Sequence, residues 1–343
     1  MPVLPLNPLR RGIATAALGL GLGLALPAWS LNIMVTNDDS CNAEGINVLM
    51  DALEAAGHSV TMYAPAGEQS GRGGAISTAI GSSYDISNVG FHGPTGAENR
   101  YCVRVPSANP AEGAEDETIT ISATPKDSML VGLQRLKGTD IDLVVSGIND
   151  GQNIGSTATS SGTVGAAVGA VLSGIPAIAV SHNRFSGEAG MSVAELADLV
   201  VEVVAALEEQ REAGEALLPP LTALNINNPP GPVRGIAHTT LGTRTDILYG
   251  PTANDAGGVD IAFNGLVSLA SLLGDEALAN ELANNPDATI EDFAAAGLDV
   301  NDETSMSAAG YVTITTMDGD FTAGLRKREL LQLKLRDLSA GGE

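Results

Sequence analysis

From residue 31 onward, short apolar runs alternate with longer segments whose apolar residues recur at helical spacing. Asn32 to Val35 reads as a strand, Ile46 to Ala56 as a helix stopped by Gly57, and His58 to Tyr63 as a second strand. Further on, Pro125 to Leu136 reads as a helix, Ile141 to Val145 as a strand, and Val164 to Leu172 as a helix of small residues. The strand Ala177 to Val180, an amphipathic helix over 192–213 and the strands Ala223 to Ile226 and Tyr311 to Thr316 follow. Strands that alternate with helices predict a mainly parallel sheet covered on both faces, an α/β three-layer sandwich. Three regions break the rhythm. Residues 65–83 form a Gly/Ser-rich loop, and 84–122 read as a polar surface excursion in which only Thr118 to Ser122 has strand character. Residues 255–303 are acidic, Ala-rich and helical in period, and look like an insertion. A terminal helix is expected at 324–338, with Leu325, Leu330, Leu331, Leu333, Leu335 and Leu338; it either packs on its own domain or docks on another subunit.

Composition adds a compartment. Arg10 and Arg11 precede the apolar stretch Ile13 to Leu26, followed by Pro27-Ala28-Trp29-Ser30, which is the layout of a cleavable signal peptide over residues 1–30. The stretch is shorter than the ~20 residues of a bilayer-spanning helix, so export to the periplasm or outside the cell is expected rather than a stable anchor. The arginine pair leaves twin-arginine and ordinary secretion both open. An oxidising compartment permits Cys41 and Cys102 to pair as a disulfide; two buried free thiols are the alternative. The remaining 31–343 read as one domain. With 17 basic against 41 acidic side chains the formal charge is −24, which repels nucleic-acid polymers and anionic membranes. A small anionic ligand would then need a local cation.

Two loops at strand ends carry the candidate chemistry, where α/β sheets place their sites. In the first, Asp38 and Asp39 follow the run Leu31-Asn-Ile-Met-Val-Thr-Asn37. Adjacent residues on a regular strand face opposite ways, so both carboxylates can address one ion only where the strand breaks. A polar turn with a helix cap at Ser40 or Asn42 is the plainer reading. The second, Ser146-Gly-Ile-Asn-Asp-Gly-Gln-Asn-Ile-Gly155, sets Asn149 and Asn153 among glycines, and is otherwise a mobile turn. Ser161-Gly-Thr163 stands just before the Val164 helix, where it offers either an anion site or a simple N-cap. Oxygen donors of this kind suit hard cations such as Mg²⁺ and Mn²⁺. Other motifs fail: the Gly19-x-Gly21-x-Gly23 run lies in the leader, Gly71-Arg-Gly-Gly74 lacks the Lys-Ser/Thr of a P-loop, and neither Gly-x-Ser-x-Gly nor His-Glu-x-x-His occurs. His182 follows a strand end and reads as structural before it reads as a proton donor.

Thr36-Asn-Asp-Asp39, Ser146-Gly-Ile-Asn149 with Gly151 and Asn153, Ser161-Gly-Thr-Val164, Gly242-Thr-Arg244 and Gly310-Tyr-Val-Thr-Ile314 together resemble the SurE survival-protein family of nucleotidases and acid phosphatases. The resemblance implies a Rossmann-like core and hydrolysis of phosphate monoesters, often nucleoside monophosphates. It also implies one divalent metal ion per subunit, Mg²⁺ or Mn²⁺ with Ca²⁺ as a further option, and a homodimer or homotetramer. Carried across, the metal ligands are Asp38, Asp39, Ser70 and Asn149, with Asp38, Asp39 and Asn149 catalytic, Asp38 serving as nucleophile or as ligand only. Asn37, Asn153, Ser161, Gly162 and Thr163 would bind phosphate. The chain departs from the family pattern at Ser40, where Gly is usual, and at Ala123-Thr-Pro-Lys-Asp127 in place of Gly-Thr-Pro-x-Asp. A non-catalytic exported protein that captures nucleotides or phosphate is the rival; a haloacid-dehalogenase phosphatase is disfavoured, because its chemistry wants Asp-x-Asp.

Overall fold

The computed structural model describes residues 30–77, 83–106, 120–183, 190–212, 214–244, 247–253 and 257–334. The leader expected at 1–30, apart from Ser30, and the end of the terminal helix beyond 334 lie outside them. In chain order the elements are β1 (Asn32–Thr36), α1 (Glu44–Ala55), β2 (Ser59–Pro65), β3 (Asp85–Ser87), β4 (Val89–Gly90), β5 (Gly93–Pro94), β6 (Arg100–Pro106), β7 (Thr120–Ser122), α2 (Pro125–Arg135) and β8 (Leu143–Asp150). After a 3₁₀ turn at Gly155–Thr159 come α3 (Gly162–Leu172), β9 (Ala177–His182), α4 (Val193–Glu209), β10 (Thr222–Asn227) and β11 (Gly235–Thr239). The hairpin β12 (Ile247–Ala253) and β13 (Val259–Leu266) leads into α5 (Leu269–Leu273), α6 (Glu276–Asn284), α7 (Ile290–Ala295) and α8 (Glu303–Ala308), then β14 (Tyr311–Asp318) and α9 (Leu325–Lys334).

Ten strands form the main sheet, in the order β11-β14-β10-β9-β8-β1-β2-β6-β3 with β7 beside β6. From β10 to β6 every neighbouring pair is parallel. β14 runs antiparallel to β10, and β11 is parallel to β14. Alternation along β1 divides the core. Ile33 and Val35 pack with α1 and α4 on one face, while Met34 packs with α2 and α3 on the other. The expected three-layer α/β sandwich is therefore the observed fold. A third cluster around the fully buried Phe293, set edge-on to Tyr311, unites α5–α8 with β11 and β14.

The helices start where their caps say. Thr124 and Asp127 form a capping box on α2 with Pro125 in its first turn, and Ser192 with Glu195 does the same for α4. α1 begins without any side-chain cap, so Ser40 and Asn42 do not serve the role allowed to them.

Two regions differ from their sequence reading. The supposed surface excursion contains β6, a parallel partner of β2 with Cys102 and Val103 wholly buried. Arg100 and Arg104 made it look exposed, yet Arg100 pairs with Asp51 of α1, and Arg104 pairs with Asp85 and lies over the Phe91 ring. The segment 255–303 is helical only from α5 onward, because Val259–Leu266 pairs with β12 as a hairpin.

Cys41 and Cys102 are joined, closing a sequence separation of 61 residues between the Asp38-Asp39 loop and β6. The β4–β5 turn closes over this bridge: a Cβ at Gly90 would lie 1.9 Å from Asn42 Oδ1 and 2.6 Å from Cys41 Sγ. Loop-closure entropy assigns such a link about 4 kcal/mol. Replacing both cysteines by alanine is expected to lower unfolding free energy by about 2–4 kcal/mol in urea denaturation, an unchanged midpoint being the contrary result.

Candidate active site

The site is built at the carboxyl ends of β1, β8, β9 and β10, and its first loop is shaped by Asn37. That side chain is fully buried, donates Nδ2 to Ser40 O at 2.9 Å and accepts Ser40 N–H at 3.4 Å. Asn37, expected at the phosphate, shapes the turn with one Nδ2 hydrogen and its Oδ1, both on the backbone of Ser40. The turn forces Ser40 to φ 121°, a left-handed conformation that favours glycine, the residue the family pattern has there.

Turning there carries Asp38 against the start of α3. Thr163 Oγ1 donates to Asp38 Oδ1 at 2.5 Å, and the Thr163 backbone N–H donates to the same carboxylate. A Cβ at Gly162 would sit 2.8 Å from Asp38 Oδ2, so only glycine lets the helix come this close. The anion held first at this helix N-terminus is the protein's own carboxylate. Ser161 accepts from Val164 N at 3.1 Å, and acts as the plain N-cap.

Asp39 is held differently: its Oδ2 accepts the Asp150 N–H at 2.9 Å. The register of β8 against β9 shifts between Ser146 and Asn149, so β8 bulges as it delivers Asn149 and Asp150. Asn149 donates Nδ2 to Gly151 O at 2.5 Å, which leaves its Oδ1 as the amide's acceptor. Ser70 is exposed, on a loop fastened to the first by Gln69 N–H on Asp38 O at 2.8 Å.

Asn153 sits in a buried amide network that the sequence reading missed. Its Nδ2 donates to Ser181 Oγ at 2.9 Å and reaches Thr163 Oγ1 at 3.5 Å; its N–H meets Asn227 Oδ1 at 2.7 Å, and its carbonyl accepts Asn225 Nδ2 at 2.8 Å. Gln152 joins Asn228 O and Ser307 Oγ, both at 2.7 Å. The run Asn225-Ile-Asn-Asn228 at a strand end was the available signal. His182 is fixed by a 2.7 Å contact with Met191 O, in keeping with a structural role.

Burial raises the Asp38 pKa against the two Thr163 hydrogen bonds, and Glu68 adds to the rise. Burial, then Asp38, push Asp39 up to about 7, against the Asp150 hydrogen bond. The charges that act most on the pair are negative: Glu68 on both, Asp38 and Asp150 on Asp39. Among the described residues no three His, Cys, Asp or Glu cluster as a ligand set. The donors on offer are two carboxylates that lack a cation plus neutral Ser and Asn oxygens, a set that fits a hard divalent ion better than a thiophilic one.

A three-layer α/β fold with paired carboxylates at the carboxyl ends of its parallel strands, one seated on a helix start, defines the class. Within it, residues 33–247 match the family described as Survival protein SurE, and the chain belongs to that family. The chain is 36% identical over 199 residues to the 5'-nucleotidase SurE of Gloeobacter violaceus, covering 58% of this chain and 64% of that protein, just under two thirds of its length. It is 36% identical over 214 residues to the 5'-nucleotidase SurE of Syntrophotalea carbinolica, covering 62% and 71%. The crystal structure of the Sure protein from Aquifex aeolicus superposes with a TM-score of 0.60 at 23% identity, over 88% of this chain and 99% of that one, a likeness of fold.

Ser40→Gly is expected to relieve the turn and stabilise the protein by about 1 kcal/mol in chemical denaturation; a loss of stability would contradict the strain. For Asp39 the folded pKa is the raised one. The stability it contributes is present below its ordinary value of 3.8 and lost as pH rises through about 7. Without added metal, melting temperature should fall between pH about 4 and about 7, and Asp39→Asn should flatten part of that fall in a pH series of thermal melts.

Proposed function

We propose that this chain is an exported, metal-dependent phosphomonoesterase that hydrolyses nucleoside monophosphates or a broader set of small phosphate esters. The observation that carries the reading is the pair of Asp38, buried, and Asp39, half-buried beside it, without a basic partner among the described residues and each pushed toward protonation. An oxygen-loving dication stabilises such a pair in its ionised form, and the 5'-nucleotidase names of the relatives support the reaction.

Asp38, Asp39, Asn149 and Ser70 would hold the ion, Mg²⁺ or Mn²⁺ before Ca²⁺, which neutralises phosphate charge when bound. Thr163 fixes Asp38 in one orientation, and the Asp150 N–H fixes Asp39, so neither carboxylate must reorganise on binding. Asn153, anchored by Ser181 and Asn227, and the Gly162 end of α3 would meet the phosphate oxygens. The buried Cys41–Cys102 bridge and the leader both support export. Four leucines of α9, Leu325, Leu330, Leu331 and Leu333, are each more than half exposed, which supports assembly with further copies as a homodimer or homotetramer.

The full-length chain, expressed with its own leader and purified, is expected to release phosphate from nucleoside monophosphates and an aryl phosphate, to stop in EDTA, and to recover with Mg²⁺ or Mn²⁺. Asp38→Asn should fold normally by circular dichroism and lose at least about 100-fold in kcat. Full activity in Asp38→Asn would remove that residue from the mechanism. No release by wild type with any metal would favour the nucleotide- or phosphate-binding protein.

A further inference from the structure

Among the described residues of the C-terminal helical segment, Glu303 is the buried carboxylate whose hydrogen bonds reach the Ser146–Gly155 loop, and it is wholly inaccessible to solvent. It opens α8, after Asp302, yet its side chain does not cap that helix; Asp302 does so, through Ser305 N. Glu303 Oε1 instead accepts the Gly155 N–H at 2.5 Å, and Oε2 accepts Thr315 Oγ1 of β14 at 2.7 Å. The Asn225 side chain, which donates to Asn153 O at 2.8 Å, also acts on this carboxylate and favours its ionised form. One group thus grips both ends of the Asn153–Gly155 turn, directly at Gly155 and through Asn225 at Asn153. Gly155 leaves no slack: it sits at φ 55°, and a Cβ on it would lie 1.2 Å from Arg244 O.

We infer that Glu303 is a positioning residue that holds Asn153 and the start of α3 in register with Asp38, by way of the Gly155 N–H and the Asn225 amide. The inference rests on the phosphatase reading only for what the turn is positioned to do. Two donors bond this carboxylate, with the Asn225 amide favouring its charge, and no salt bridge reaches it among the described residues. The charged group acting most on it is Asp302, the cap of α8, which raises its pKa; Arg244 nearby meets Thr304 through its carbonyl and has an exposed side chain. β10 and β14 face it with neutral Asn225 and Thr315. Burial is the largest cause of a pKa pushed up to about 7, so the group changes charge near neutrality. Either protonation state can be housed. Thr315 Oγ1 lies 2.7 Å from Thr239 Oγ1, so the two hydroxyls can turn together and let Thr315 accept from a protonated Glu303.

The test compares Glu303→Ala and Glu303→Gln in the full-length chain with Mn²⁺, using hydrolysis of an aryl phosphate from pH 5 to 9 and backbone deuterium uptake. Glutamine can still accept from Gly155 and place its amide on Thr315 Oγ1 or on the buried, unpartnered Asn225 Oδ1. Glu303→Ala should lower kcat/KM at least about 30-fold and speed uptake over 151–157 while α1 stays protected. Glu303→Gln should stay within about threefold of wild type at pH 6, keep the turn protected, and lose the inflection near pH 7. Should Glu303→Ala prove insoluble, the glutamine variant's pH profile and uptake decide alone. Wild-type rates and uptake in Glu303→Ala, or an unshifted pH profile in Glu303→Gln, would overturn the inference. If the wild type releases no phosphate, the function falls, and the uptake comparison still judges Glu303.

Discussion

The site depends on one carboxylate being drawn against its own helix. Asp38 receives two hydrogen bonds from Thr163, at a helix start where the dipole favours negative charge, and burial opposes them. For the carboxylate to lie there, β1 must end in the Asn37–Ser40 turn, residue 162 must lack a Cβ, and α3 must enter from behind the sheet at this height. Each is a separate demand on sequence, and the chain meets all of them, one at the expense of an unfavourable Ser40 conformation. Such a concentration of compromise in one loop is what a site under chemical constraint shows, whereas the two core clusters behind it satisfy simple alternation.

Much of this was legible. The six central parallel strands include five whose apolar runs stand between clear breakers, and α2, α3 and α4 beside them carry caps that mark their starts. β6 was hidden because Arg100 and Arg104 give it a polar look that Asp51 and Asp85 cancel only in three dimensions. Within the Ala-rich window, Val259, Ile261 and Phe263 alternate as a strand should, but the longer helical period around them masked it. At the site, Asp38, Asp39, Asn149 and Thr163 could be picked out because each lies in a short loop or helix start with local chemistry. Glu303 and Thr315 could not, since their proximity to the site follows from β14 lying between β10 and β11, a matter of strand order rather than spacing.

That placement of β14 has a consequence for assembly. Until the last strand arrives, β10 presents an open edge, and the Asn153 turn lacks the residues of α8 that grip it. β14 follows every other strand of the sheet in the chain, so its pairing with β10 is the last that synthesis makes available. An unfinished chain would therefore carry its paired aspartates and its helix start without the Glu303 and Thr315 that clasp the neighbouring turn. One late pairing thus closes the sheet edge and completes the clasp on the Asn153 turn together.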